Sequence, residues 1–239
     1  MTERLHKRIA SSGYCSRRMA ERLIAEGEVS VNGQVVSEMG VQVSEKDTII
    51  VEGTKLKFTG EKITLMMNKP VGIVTTRHDP DGAETVMDLL PRKYQHLNPV
   101  GRLDRESEGL LLLTTDGDLL LHLTHPRYEH EKTYEVGLYG TVEPTTLEAL
   151  EEGVELDDKK LAPMKASVLR EEGHRTWVQV ILREGRKRQI RRVMEQFGHT
   201  VFALRRVAIG KLELGDVKTG SFRLITAKEV KLALSKGQE

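Results

Sequence analysis

The apolar positions change period along the chain, and each change marks an element. Leu5 and Ile9 share one face of a first short helix, and Gly13 ends it. Ser16 is placed to cap a second helix from Arg17 to Glu26. Ala20, Leu23 and Ile24 form its inward face and Gly27 its stop. From Val29 to Val35 the valines alternate around Asn32-Gly33, which predicts a hairpin, and Thr48 to Val51 reads as a closing strand. Beyond the charged stretch Lys55–Lys62 the segments lengthen. Strands are predicted at Thr64–Asn68, Leu110–Thr114, Lys132–Tyr139, Met164–Leu169, Trp177–Arg183 and Val201–Val207. Helices are predicted at Asp118–Leu123, Pro144–Glu152, Lys187–Phe197 and Ala227–Leu234, the last opened by a Thr226/Glu229 capping box. Helices and strands alternate without a regular βαβ rhythm. That predicts an α+β protein: a small α/β domain over residues 1–60, then a domain over 61–239 built on a mixed sheet.

Composition narrows the class. The 239 residues are 38% hydrophobic, enough for a substantial core, and no apolar run approaches the roughly 20 residues that cross a bilayer. The first residues carry charge throughout and lack the apolar stretch of a secretory signal. A single cysteine, Cys15, excludes a disulfide framework and a multi-cysteine zinc site and fits a reducing compartment. The expectation is a cytoplasmic protein with no membrane segment.

A net charge of +1 conceals segregation. Between Arg183 and Arg206 lie Arg183, Arg186, Lys187, Arg188, Arg191, Arg192, Arg205 and Arg206, against Glu184 and Glu195 alone. From Glu143 to Asp158 there are acids (Glu143, Glu148, Glu151, Glu152, Glu155, Asp157, Asp158) and no Lys or Arg. One region suits a polyanion and the other repels it.

Three constellations carry candidate chemistry. Gly101-Arg102-Leu103-Asp104-Arg105-Glu106-Ser107-Glu108-Gly109 is a polar loop leading into an apolar strand, with carboxylates beside arginines that hold them ionised. Read plainly, it is also an ordinary solvated turn with surface ion pairs. In Gly185–Gly198, Ile190, Val193, Met194 and Phe197 form an apolar helix face; Arg191 falls on its flank and Arg192 nearly opposite. Lys132-Thr133-Tyr134 opens a strand with a ring that either packs in the core or offers a face to an unstacked base. His122, His125 and His130 lie close together, but no accompanying pattern supports a metal site. There is no GxxxxGK[ST] or GxGxxG, so neither a nucleotide nor a dinucleotide cofactor is expected.

Gly101-Arg102-Leu103-Asp104 with Ser107-x-Gly109 and Leu110–Thr114 resembles the catalytic motif of bacterial ribosomal-RNA pseudouridine synthases, the RsuA/RluB/RluF branch. Met67-Asn68-Lys69-Pro70-x-Gly72, Lys132-Thr133-Tyr134 and Glu184-Gly185-x-x-Arg188-Gln189-Ile190-Arg191-Arg192 resemble its other motifs in the same order. Residues 1–60 resemble the S-four-type RNA-binding domain that precedes the catalytic domain in this branch. The resemblance implies a mixed, largely antiparallel sheet flanked by helices. It implies that Asp104 is the catalytic aspartate, that Tyr134 stacks on the target base and that Arg191 pairs with Asp104. Leu204 would line the pocket, Arg102 would fill the space left by the flipped nucleotide, and Lys69, Arg186, Arg188 and Gln189 would touch substrate. In the N-terminal domain Lys7, Arg17, Arg18, Arg22 and Asn32 would meet RNA.

The implied reaction is uridine-to-pseudouridine isomerisation in ribosomal RNA, free or in an assembling particle, by a monomer without metal or cofactor. The motifs lean toward large-subunit over small-subunit RNA. A non-catalytic ribosome-assembly factor would share the basic helix and N-terminal domain but would not require Asp104, Tyr134 and Arg191 together. A hydrolytic glycosidase using Asp104 and Glu108 would need an aromatic-rich cleft, and aromatics here are 4% with Trp177 the single tryptophan.

Overall fold

The computed structural model describes residues 2–58 and 62–235. The chain divides into two compact units, one of Met1–Ile63 with Thr115–Gly117, the other of Thr64–Thr114 with Asp118–Glu239. The expected boundary between residues 60 and 61 lies outside the described residues.

The first unit contains β1 (Thr2–Arg4), α1 (Leu5–Ser11), α2 (Arg17–Ala25), β2 (Val29–Val31), β3 (Gln34–Val35), β4 (Gln42–Ser44), β5 (Ile49–Val51) and β6 (Thr54–Lys55). Ser16 caps α2 as expected, its side chain accepting from Met19 N. The β2–β3 hairpin turns on Asn32 and Gly33, with φ of 52° and 84°. Two successive positive φ values match the right-handed strand twist of a tight hairpin. Leu5, Ile9, Leu23, Ile24, Val29 and Ile49 are part of one buried core. A short β1–β4 pair, absent from the sequence reading, joins residues distant in sequence through three-residue strands.

The second unit contains β7 (Thr64–Lys69), β8 (Asn98–Val100), β9 (Glu108–Thr114), α3 (Gly117–Thr124), β10 (Lys132–Tyr139), α4 (Pro144–Glu152), β11 (Lys165–Glu172), β12 (Arg175–Leu182), α5 (Gln189–Gln196), β13 (Val201–Ile209), β14 (Leu212–Glu213), β15 (Phe222–Leu224) and α6 (Ala227–Leu234). One nine-stranded sheet runs β11-β12-β10-β13-β9-β7-β15, with β8 on β9 and β14 on β13. Every pairing is antiparallel except β13–β9. The expected mixed, largely antiparallel sheet is present. Strands β7 and β9 are buried almost throughout, which explains their unbroken apolar runs: a strand covered on both faces has no reason to alternate. Leu110 and Leu112 pack in a cluster with Leu119 and Leu123 of α3 and Ala233 of α6. The Thr226/Glu229 capping box forms as expected.

At the parallel join, Gly109 faces Arg206. A Cβ at Gly109 would sit 2.3 Å from the Arg206 carbonyl oxygen, and its φ is 104°, so only glycine fits. The sequence reading began this strand at Leu110; it begins at Glu108 because this pairing extends it. In the other direction, α5 starts at Gln189 rather than Lys187. Arg188 has a left-handed backbone (φ 54°), which leaves Lys187 and Arg188 in the preceding loop.

Candidate active site

The loop after β8 carries Asp104, and its shape is set by donors to its backbone. Lys69, at the end of β7, is fully buried and its Nζ donates to the carbonyls of Pro70 (2.9 Å), Asp104 (3.1 Å) and Ser107 (2.8 Å). Burial lowers its pKa from 10.5 to about 8, opposed by the negative charges of Asp104 and Glu108. The Thr75 hydroxyl donates to Leu103 O at 2.7 Å, and Gly72 N donates to Arg105 O at 2.7 Å. From α5, Arg191 Nη2 donates to Glu106 O at 2.8 Å and Nη1 to Val201 O at 3.0 Å. Arg188 forms an ion pair with Glu106, which draws the Glu106 carboxyl below its ordinary pKa.

The loop is thus clamped from both sides while the half-buried Asp104 carboxylate forms no ion pair among the described residues. It faces a cavity of about 280 Å³. Tyr134 and Leu204 wall that cavity from β10 and β13, at 9% and 7% exposure, and Arg102 lies at its exposed edge. Arg186, Arg188 and Gln189 line the remainder. A carboxylate with no fixed partner, ringed by cations bonded to other groups, remains available to a ligand.

Several expectations need correction. Arg191 is brought to the loop, yet it bonds to carbonyls rather than pairing directly with Asp104; its flank position on α5 aims it at the Glu106 and Val201 backbones. Burial lowers its pKa, as does Arg188, while Glu106 and Asp104 act oppositely through their charges. Lys69 is fully buried beneath the loop and is not part of the cavity lining; its three bonds to carbonyls brace the loop. Gln189 lines the cavity, but its amide is engaged within the protein: Oε1 accepts from Arg186 N at 3.0 Å and Nε2 donates to Glu184 at 3.0 Å. Asn32, at an exposed position, donates to Asp47 at 2.7 Å and accepts from Thr48 N at 3.0 Å, so its side chain braces the hairpin turn. Arg192, on the outer face of α5, forms a two-pronged pair with Asp157, so the acidic segment does more than repel.

In the first unit, Arg17, Arg18 and Arg22 are exposed; Arg22 lies 3.7 Å from Glu26, and Lys7 3.9 Å from Glu3. His122, His125 and His130 gather around the Tyr128 ring, with centroids 4.3, 6.2 and 6.3 Å from it. The sequence reading missed Thr75, Glu106 as the partner of Arg188, and the carbonyl clamp. These depend on backbone positions that no side-chain pattern encodes.

The cavity thus brings a carboxylate, an aromatic ring and several arginines together on a mixed sheet. A family model described as RNA pseudouridylate synthase matches residues 63–196, and one described as S4 domain matches residues 3–49. The chain is 42% identical over 231 residues to the ribosomal large subunit pseudouridine synthase B of Bacillus subtilis, covering 96% of this chain and 94% of that one. It is 39% identical to an uncharacterized RNA pseudouridine synthase of Aquifex aeolicus, covering 96% and 93%. A crystal structure of a pseudouridylate synthase superposes with a TM-score of 0.71 at 32% identity, covering 96% of this chain and 99% of that one. The chain belongs to the RNA pseudouridine synthase family, with an S4 RNA-binding domain at its N-terminal end. No helix among the described residues is long and apolar enough to cross a membrane.

Proposed function

We propose that this enzyme isomerises a uridine of large-subunit ribosomal RNA, with Asp104 as its catalytic carboxylate. The half-buried, unpaired Asp104 carboxylate facing a cavity walled by Tyr134 and Leu204 carries this reading. The base must leave its stack to reach that cavity, and Tyr134 offers the face on which it rests. Arg102, exposed at the edge, takes the space vacated in the RNA.

The carboxylate either attacks the ribose C1′ or removes a neighbouring ribose proton. By either route the bond from C1′ to the ring nitrogen breaks and the uracil turns. C1′ then bonds to the ring carbon C5 as the Asp104–C1′ ester bond breaks, or as the ribose proton returns from Asp104, and the C5 proton leaves with help from Tyr134. No electrons or external groups are transferred, so the reaction calls for neither metal nor cofactor. Arg188 and Arg191 fix the loop from α5, and Lys69 fixes it from beneath. Arg17, Arg18, Arg22 and Lys7 of the S4 domain meet phosphates and hold the RNA in register. The enzyme acts as a monomer in the cytoplasm. Kinship with the Bacillus subtilis large-subunit enzyme favours the large-subunit target.

Mapping pseudouridines in ribosomal RNA from cells with and without the protein tests the substrate. Loss of one large-subunit pseudouridine, restored by the wild-type chain and not by Asp104→Asn, is expected. An unchanged large-subunit map, or a loss confined to small-subunit RNA, would overturn the target.

A further inference from the structure

Beside the Asp104 cavity lies a second one of about 170 Å³ whose wall includes Lys132 and Arg206. The two cavities share Gly101, Arg102, Tyr134 and Gly185. Arg206 sits on β13 opposite Tyr134 on β10 and is only 3% exposed. Its Nε donates to Leu110 O at 2.7 Å, and its two amino groups have no partner among the described residues; Nη2 is fully buried. Leaving buried donors of a charged group unmatched is costly. Among the described residues Lys132 makes a single bond, to His130 O at 3.0 Å. Burial and then the charge of Arg206 bring its pKa down to about 8.

Two like charges therefore share one cavity wall, and among the described residues no free carboxylate answers them. Glu131, 8% exposed, is held by Arg183 at 2.9 and 3.1 Å. Glu184, on the wall itself, accepts from Gln189 Nε2 at 3.0 Å and Ala162 N at 3.1 Å, and lies 3.5 Å from Arg186. An oxyanion in the cavity supplies the missing counter-charge to both cations, accepting from Lys132 Nζ and from the Arg206 amino group that is not sealed off.

The geometry points to this second cavity as a phosphodiester subsite, which takes the backbone phosphate adjoining the nucleotide whose base enters the Asp104 cavity. The shared Arg102 and Tyr134 place base and phosphate in adjoining chambers, as one nucleotide requires. The oxyanion site stands on this geometry alone; its assignment to RNA rests on the function proposed above. The subsite selects for a nucleotide within a chain over a free base or nucleoside.

The test uses the full chain, with the arginine Nε–H signals followed by NMR. Inorganic phosphate and uridine 3′-monophosphate should shift the Arg206 signal saturably, and uridine should not. Lys132→Gln should weaken phosphate binding at least about tenfold, whereas Arg92→Gln, at an exposed position, should leave it unchanged. Large-subunit ribosomal RNA should displace the phosphate. An Arg206 signal that does not saturate, or wild-type phosphate affinity in Lys132→Gln, would overturn the subsite. Saturable phosphate binding that RNA does not displace would overturn its assignment to the RNA backbone and leave free phosphate as the ligand. Turnover is not read, so failure here leaves Asp104 in place, and failure of Asp104 leaves the phosphate result standing.

Discussion

The cations of α2 in the first unit and those bracing the sheet and the Asp104 loop in the second carry positive charge in opposite ways. On α2 of the first, Arg17 and Arg18 are exposed and without an ion pair among the described residues. In the second, Lys69 is fully buried, Arg206 is 3% exposed and Arg191 is partly buried, each donating to backbone carbonyls. Exposed charges act through the counterions they displace, so their contribution should depend on salt and tolerate repositioning. Buried ones fix geometry, so their contribution should depend on donor number and shape. A count of Lys and Arg treats both alike.

Substitutions should separate these behaviours, beginning with the largest effect. Lys69→Met removes three charge-assisted bonds beneath the Asp104 loop. At about 1.5 kcal/mol each, the single-turnover rate should fall roughly a thousandfold. RNA affinity at fixed salt should stay within about threefold. A comparable loss of affinity would show that Lys69 meets RNA after all.

Arg191→Ala removes two such bonds, and the rate should fall about a hundredfold even at saturating enzyme. Lysine there should restore only part, because an ammonium cannot span the carbonyls of Glu106 and Val201 as the fork does. Arg192→Ala loses a surface pair with Asp157, worth at most about 1 kcal/mol, and its rate at saturating enzyme should match wild type. Equal, fully rescuable losses in both variants would contradict the positioning role of Arg191.

Replacing Arg17 or Arg18 with glutamine should leave the saturated rate unchanged. Each should reduce the slope of log affinity against log salt by roughly 0.7–0.9. An unchanged slope would remove α2 from the RNA contact surface.

A further effect is on the pH dependence of stability. Burial holds folded Lys69 at a pKa of about 8, below its ordinary 10.5. Between those values the unfolded chain keeps the proton that the folded chain has released, so unfolding free energy rises with pH. In urea denaturation the wild type should therefore gain on Lys69→Met as pH increases through this window. A constant difference would mean that Lys69 does not titrate there.

The sequence discloses what local rules govern. Ser16 and the Thr226/Glu229 box mark helix starts because a cap is a contact within one turn, and β10 runs from Lys132 to Tyr139 as its period indicated. Asp104, Tyr134 and Leu204 were legible as a set only through family resemblance, since nothing in their spacing brings β10, β13 and the loop together. What stayed hidden is long-range backbone chemistry. Lys69 ends an apolar run and looks like any terminal lysine, yet it binds carbonyls more than thirty residues away. Arg206 reads as one more member of a basic run until its pairing with Tyr134 and Gly109 buries it. The late start of α5 depends on a left-handed Arg188 that helix propensity does not anticipate.

The most direct measurement is single-turnover pseudouridine formation by Asp104→Asn at saturating enzyme, with RNA affinity measured on the same sample. Asparagine keeps the size of the side chain and removes its charge. If Asp104 performs the chemistry, product formation is abolished while affinity changes less than about tenfold, because one cavity contact is altered among many phosphate contacts. Turnover near the wild-type rate would contradict the assignment of Asp104 and of the cavity it faces.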